Sequence, residues 1–206
     1  MTGSAGRFRR TNRILKTIAL LLTAVFLSAV LLYAFRFFVC FSAAKQIPDS
    51  FSYVPMRFVI LGSGEDTVSA RFWLYDTSDR VIAAVERSWN TSALYLEFAG
   101  AVFRGKSVLF PYKITAETAG FRSFPRGGTE LVPYYMKNGR CALFSDTVPA
   151  SVRNALYSIC RFALPSAQLF SGAYVATSRV WLGGCETGVF YSVSIDTSGS
   201  IRLMKE

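Results

Sequence analysis

The hydrophobic pattern is dominated by one unbroken apolar run, Thr17 to Phe35, nineteen residues without a charge, a proline or a glycine. As an α-helix it reaches roughly 28 Å at about 1.5 Å per residue, close to the hydrocarbon thickness of a bilayer. Apolar residues continue beyond Arg36 through Phe37, Phe38, Val39, Cys40 and Phe41. An arginine that near the end of a sufficient span reaches out to the interface, carrying its apolar stem along the helix. The pattern predicts a tail over 1–16, a single transmembrane helix over 17–44, a linker over 45–54 and one domain over 55–206.

Beyond the linker the period changes from that of a helix to that of strands. Pro55 to Leu61 reads as a first strand, closed by Gly62-Ser63-Gly64. Val68, Ala70, Phe72 and Leu74 alternate with Ser69, Arg71, Trp73 and Tyr75, so one face enters the core. Asp76-Thr77-Ser78-Asp79 supplies turn residues, and Val81 to Val85 returns as the second arm of a hairpin. Ser88 to Ser92 is a polar break. Ala93 to Phe98 and Ser107 to Thr115 follow as strands, with Pro111 marking an edge or a bulge. Leu131 to Met136 and Arg140 to Phe144 flank Asn138-Gly139, a strong hairpin signal. Ala173 to Leu182, Val189 to Ile195 and Ile201 to Met204 are late strands.

One stretch of the domain has helical period. From Pro149 to Ala163, Val152, Leu156, Ile159, Cys160 and Ala163 form an apolar stripe. Asp146 or Thr147 is placed to cap it, Pro149 suits the first turn and Pro165 follows its end. Nine or ten strands with short connections and one helix predict a mainly β, α+β domain of antiparallel sheet, a sandwich or a partly open barrel.

Charge decides how the helix is oriented. Arg7, Arg9, Arg10, Arg13 and Lys16 precede the span without an acid among them, while only Arg36 and Lys45 flank its other end. Cations beside a span stay on the cytoplasmic side, so the expected protein is single-pass in the cytoplasmic membrane, with its N-terminus inside and its domain outside. The same residues explain the formal charge of +10. Residues 1–45 hold seven cations and no acid, which leaves sixteen against thirteen, about +3, for residues 46–206. That balance argues against a nucleic-acid partner.

Two other fates of the N-terminus are open. Ser42-Ala43-Ala44 resembles a signal-peptidase site, but the apolar core exceeds the ~7–15 residues of a signal sequence and Arg36 interrupts the approach. Lipidation of Cys40 meets a bulky Val39 immediately before it.

The chain contains no histidine, which excludes a Ser-His-Asp triad, a Cys-His dyad and a histidine-ligated zinc site. Its four cysteines, at 40, 141, 160 and 185, include no C-x-x-C pair, so no metal cluster and no cofactor is expected. Outside the cytoplasm a disulfide is permitted, and Cys141 with Cys185 is the expected pair; Cys160, on the apolar stripe, is expected as a buried thiol. Ser42-Ala43-Ala44-Lys45 has S-x-x-K spacing but lacks the Ser-Asp-Asn and Lys-Thr-Gly companions of penicillin-recognising enzymes. A histidine-independent Ser-Lys hydrolase is the enzymatic alternative.

Aromatics make up 15% of the chain. Tyr112, Tyr134, Tyr135, Trp181 and Tyr191 are possible sugar platforms, although aromatics at strand spacing more often form core or cross-strand pairs. Ala116 to Glu130 is the long irregular stretch, with Phe121, Arg122, Phe124 and Arg126 among glycines. Long loops carry function and aromatic and arginine residues anchor interfaces, so these four are the expected protein-binding residues. The function expected is a non-catalytic binding or assembly module, held to the bilayer through residues 17–44 and facing a protein partner in the envelope.

Overall fold

The structure, a computed structural model, describes residues 4–116, 128–164 and 175–206. The chain divides into two compact units, Met1–Val39 and Cys40–Glu206.

Helix α1 runs Ser4–Ala43, and its apolar part is long and apolar enough to cross a membrane. Leu20, Leu22, Val25 and Leu31 stand exposed on it. Two of its hydroxyls are satisfied locally: Thr23 Oγ1 donates to the Ala19 carbonyl at 2.9 Å and Ser28 Oγ to the Ala24 carbonyl at 2.8 Å. Neither therefore needs water, a requirement for any polar side chain facing lipid.

The second unit begins within the last turn of that helix. Cys40 is 3% exposed and its thiol donates to the Ser158 carbonyl at 3.4 Å. A 3-10 turn at Ala44–Gln46 follows, with Ala44 and Ile47 buried. Lys106 Nζ donates to the Ile47 carbonyl and pairs with Asp49 at 2.9 Å. Residues read from the sequence as a linker are thus partly packed, because the apolar Ile47 anchors a stretch that composition alone marks as polar.

Eleven strands follow among the described residues, in two antiparallel sheets and a small ribbon. β1 (Ser52–Ser63), β2 (Val68–Tyr75) and β3 (Val81–Trp89) are joined by β10 (Phe190–Asp196) and β11 (Ile201–Lys205) in the order β11-β10-β1-β2-β3. The second sheet has the order β6-β5-β4-β9, from β4 (Leu94–Phe103), β5 (Lys106–Ala116), β6 (Thr129–Glu130) and β9 (Val175–Trp181). The domain is mainly β, and among the described residues no sheet closes into a barrel.

The first sheet's inner face shows how alternation becomes packing. Tyr191, Phe58, Phe72 and Val85 stand in one row across four strands. Phe58 stacks on Phe72 at 5.4 Å and on Tyr191 at 5.5 Å, while Trp89 meets Phe72 edge-on at 5.9 Å. Offset and edge contacts of this kind add about 0.5–1.5 kcal/mol per pair beyond the area buried. Pro55 occurs where the β1–β10 register shifts between Tyr53 and Met56, and Pro111 where the β4–β5 register shifts between Glu97 and Phe98. A residue without an N–H fits inside a sheet only at such irregularities.

The turns follow their residues. Asn138 (φ +51°) and Gly139 (φ +73°) form the expected two-residue hairpin turn. Its arms are shorter than the pattern indicates, β7 (Met136–Lys137) and β8 (Arg140–Cys141), because Val132–Tyr135 winds into a helical turn, α2, with a proline in its first turn. Arg104 (φ +55°) and Gly105 (φ +76°) make a second such turn between β4 and β5.

Helix α3 spans Ala150–Ala163 and buries Val152, Ala155, Leu156, Ile159, Cys160, Phe162 and Ala163. It packs against β4, β5 and β8. Neither Asp146 nor Thr147 caps it: Pro149 occupies the N-cap, and Asp146 pairs with Arg153. Thr147 joins Ser78 and Ser145 in a hydroxyl network that ties the β2–β3 turn to the segment before the helix.

Candidate functional site

The four residues expected to bind a partner, Phe121, Arg122, Phe124 and Arg126, lie outside the described residues. Of the possible sugar platforms, Tyr135 and Tyr191 are core residues, Tyr112 and Tyr134 are half-buried, and Trp181 is exposed on β9 beside Gly183. They do not assemble into one surface.

A different aromatic group does assemble, on the outward face of the five-stranded sheet. Register places Phe190, Val59, Arg71 and Glu86 in one row, and Ser192, Arg57, Trp73 and Ala84 in the next. Trp73 and Phe190 stack at 5.7 Å with planes 25° apart. They lie on strands either side of β1, where Val59 is only 5% exposed. Phe190 itself is 48% exposed. The Arg71 guanidinium lies 5.7 Å from the Trp73 ring and pairs with Glu86. Arg57 lies 4.6 Å from the Tyr75 ring and pairs with Glu206 at 2.9 Å and Asp79 at 3.1 Å. Burial works against the Arg57 cation, but the Tyr75 hydroxyl and the two carboxylates outweigh it and raise its pKa. The face is therefore a fixed lattice of rings and guanidinium groups, the side-chain types that carry most energy at protein interfaces.

An open cleft of about 410 Å³ lies between the segment before β1 and the β10–β11 turn. Its carboxylates are committed to the fold. Asp196 accepts from the Ser198 and Ser200 amides at 2.9 and 3.1 Å, while Asp49 pairs with Lys106. Hydrogen bonds from Ser198 and the two amides hold the Asp196 pKa below its ordinary value. No group of three or more metal-ligating residues occurs among the described residues.

None of the four cysteines forms a disulfide in this structure. Cys141 and Cys185, the pair expected from the sequence, are not joined. Cys141 lies on β8 and Cys160 on α3, two elements that pack together, and both are buried. The reason is the short β7–β8 ribbon, which packs Cys141 against α3 rather than beside a late strand. Two phenols are buried as well. Tyr53 donates to the Leu109 carbonyl at 2.6 Å, Tyr135 to the Pro111 carbonyl at 2.7 Å, and burial raises the pKa of both.

Compared with protein-family models, curated proteins and solved structures, the chain matches none.

Proposed function

We propose that this chain is a single-pass protein of the cytoplasmic membrane, with its N-terminus inside and a non-catalytic domain outside that binds a protein partner of the envelope. The observation that carries the anchoring is the charge-free run Thr17 to Phe35 behind five cations without an acid. Burial of Cys40, with its thiol on the Ser158 carbonyl, favours an uncleaved anchor over a lipidated cysteine, since a lipid on that sulfur displaces the contact. The partner-binding surface is the outward face of the five-stranded sheet, where Trp73, Phe190, Arg57 and Arg71 are held in place by their neighbours. Rigid aromatic and arginine groups lose little entropy on binding.

The test is chemical cross-linking in intact membranes, followed by recovery of the full chain. Trp73→Ala with Phe190→Ser is expected to abolish a discrete cross-linked species while leaving the protein folded. Phe121→Ser with Phe124→Ser, in the same experiment, reads the contribution of the loop. An unchanged species in the first variant removes the sheet face from the proposal; loss only in the second moves the contact to the loop.

A further inference from the structure

We infer that the domain binds anionic phospholipid through Lys45, Arg104 and Arg161, which take headgroup phosphates at the membrane surface. The inference rests on the proposed anchoring, though not on which side of the membrane the domain lies. The run Thr17 to Phe35 fills the hydrocarbon layer, which takes about 20 helical residues to cross. Phe41 follows Phe35 by six residues on the same helix, about 9 Å at about 1.5 Å per residue. The headgroup layer on either side is about 5–8 Å deep. Phe41, 38% exposed, therefore reaches headgroup level, and the Arg104 guanidinium lies 5.0 Å from its ring.

The fold brings two more cations to the same end of the domain. Phe103, the neighbour of Arg104, meets Phe162, the neighbour of Arg161, edge-on at 5.2 Å. The 3-10 turn that carries Lys45 packs against α3, and Cys40 is tied to the Ser158 carbonyl of that helix. Lys45, Arg104 and Arg161 are all exposed. None of them pairs with a carboxylate among the described residues, whereas Arg57, Arg71, Arg80 and Arg153 each do. Asp49, the first acid after the span, is taken by Lys106. Cations without a carboxylate accept phosphate oxygens as partners through charge-assisted hydrogen bonds. Three of them at an anionic surface favour the seated domain by on the order of a hundredfold. The surface is separate from the Trp73 and Phe190 face, so a seated domain keeps that face for its protein partner.

The full chain is reconstituted in nanodiscs of phosphatidylcholine alone, and of phosphatidylcholine with an equal part of phosphatidylglycerol. Backbone amide exchange is then followed by mass spectrometry. Residues 103–106 and 161–164 are expected to exchange several-fold more slowly in the anionic discs. That difference is expected to vanish near 1 M salt, where the Debye length is about 3 Å. Lys45→Glu with Arg104→Glu and Arg161→Glu is expected to abolish it. Lys45→Arg with Arg104→Lys and Arg161→Lys, which keeps every charge, is expected to retain it. Equal exchange of the unsubstituted chain in the two discs overturns the lipid contact, whether or not the Glu variant folds. A difference that survives in the folded Glu variant overturns it too. Equal slowing by inorganic phosphate in phosphatidylcholine discs assigns the cations to a free anion and also overturns it. Alkaline carbonate extraction of native membranes reads the anchor separately. Release of the chain overturns the anchor, and the inference with it; retention with equal exchange in the two discs overturns the lipid contact alone.

Discussion

Trp73 and Phe190 stack at 5.7 Å although β1 runs between the strands that carry them. Their neighbours in sequence do the reverse, since Phe72 and Tyr191 both stack toward Phe58 on the inner face. One residue of offset along each strand separates a core ring from a surface ring. Phe72→Ala is expected to cost about 3–5 kcal/mol, as for other buried aromatics, and Trp73→Ala about 1 kcal/mol. Urea unfolding of the full chain in detergent measures both. Equal losses at the two positions refute the assignment of faces.

Gly100 lies in the middle of β4, between Leu109 of β5 and Ala176 of β9. A Cβ there collides with the Leu109 side chain and meets the Val108 carbonyl oxygen at 2.5 Å. The carbonyl belongs to the ladder and cannot move aside cheaply. Gly100→Ala is expected to destabilise by about 1–3 kcal/mol, whereas Gly62→Ala, with no atom within 4 Å of its Cβ, is expected to be tolerated. Thermal melts of the two variants separate close approach from glycine content as such.

Asp76 is buried in the β2–β3 turn. Burial by itself raises its pKa, but the amides of Arg80 and Ser78 and the Arg80 guanidinium outweigh burial and leave it below 3.8. A carboxyl whose folded pKa is depressed contributes stability that is present above the unfolded value and is lost as pH falls through the folded one. Stability is therefore expected to decline from about pH 4 downward. Asp76→Asn should be less stable at neutral pH and show a shallower decline below pH 4. An identical acid profile in the variant excludes this carboxylate as a source of acid sensitivity.

Local pattern was enough to find the β2–β3 hairpin, the Asn138-Gly139 turn and α3, because each is specified by residues near one another in the chain. It was also enough to turn Arg71, Trp73 and Tyr75 away from the core, since alternation sorts faces without knowledge of neighbours. It could not bring Phe190 to Trp73, which requires a strand from the end of the chain to pair with the first. The same long-range pairing buries Tyr191, whose position one residue from Phe190 gives no sign of its face. The surroundings of Cys141 were illegible for a related reason: they depend on how a two-residue ribbon meets α3, and no periodicity encodes that docking. The expected binding residues 121, 122, 124 and 126 lie outside the described residues, so the sheet face and the loop are separated by the variants described above rather than by geometry.

The most direct measurement is of the side of the membrane on which the domain lies. A reporter enzyme that becomes active only outside the cytoplasm is fused after Glu206 of the full chain, and a second fusion carries it before Met1. Activity is expected from the C-terminal fusion alone. Activity from the N-terminal fusion alone, or from neither with both proteins present in membranes, contradicts an outward-facing binding domain.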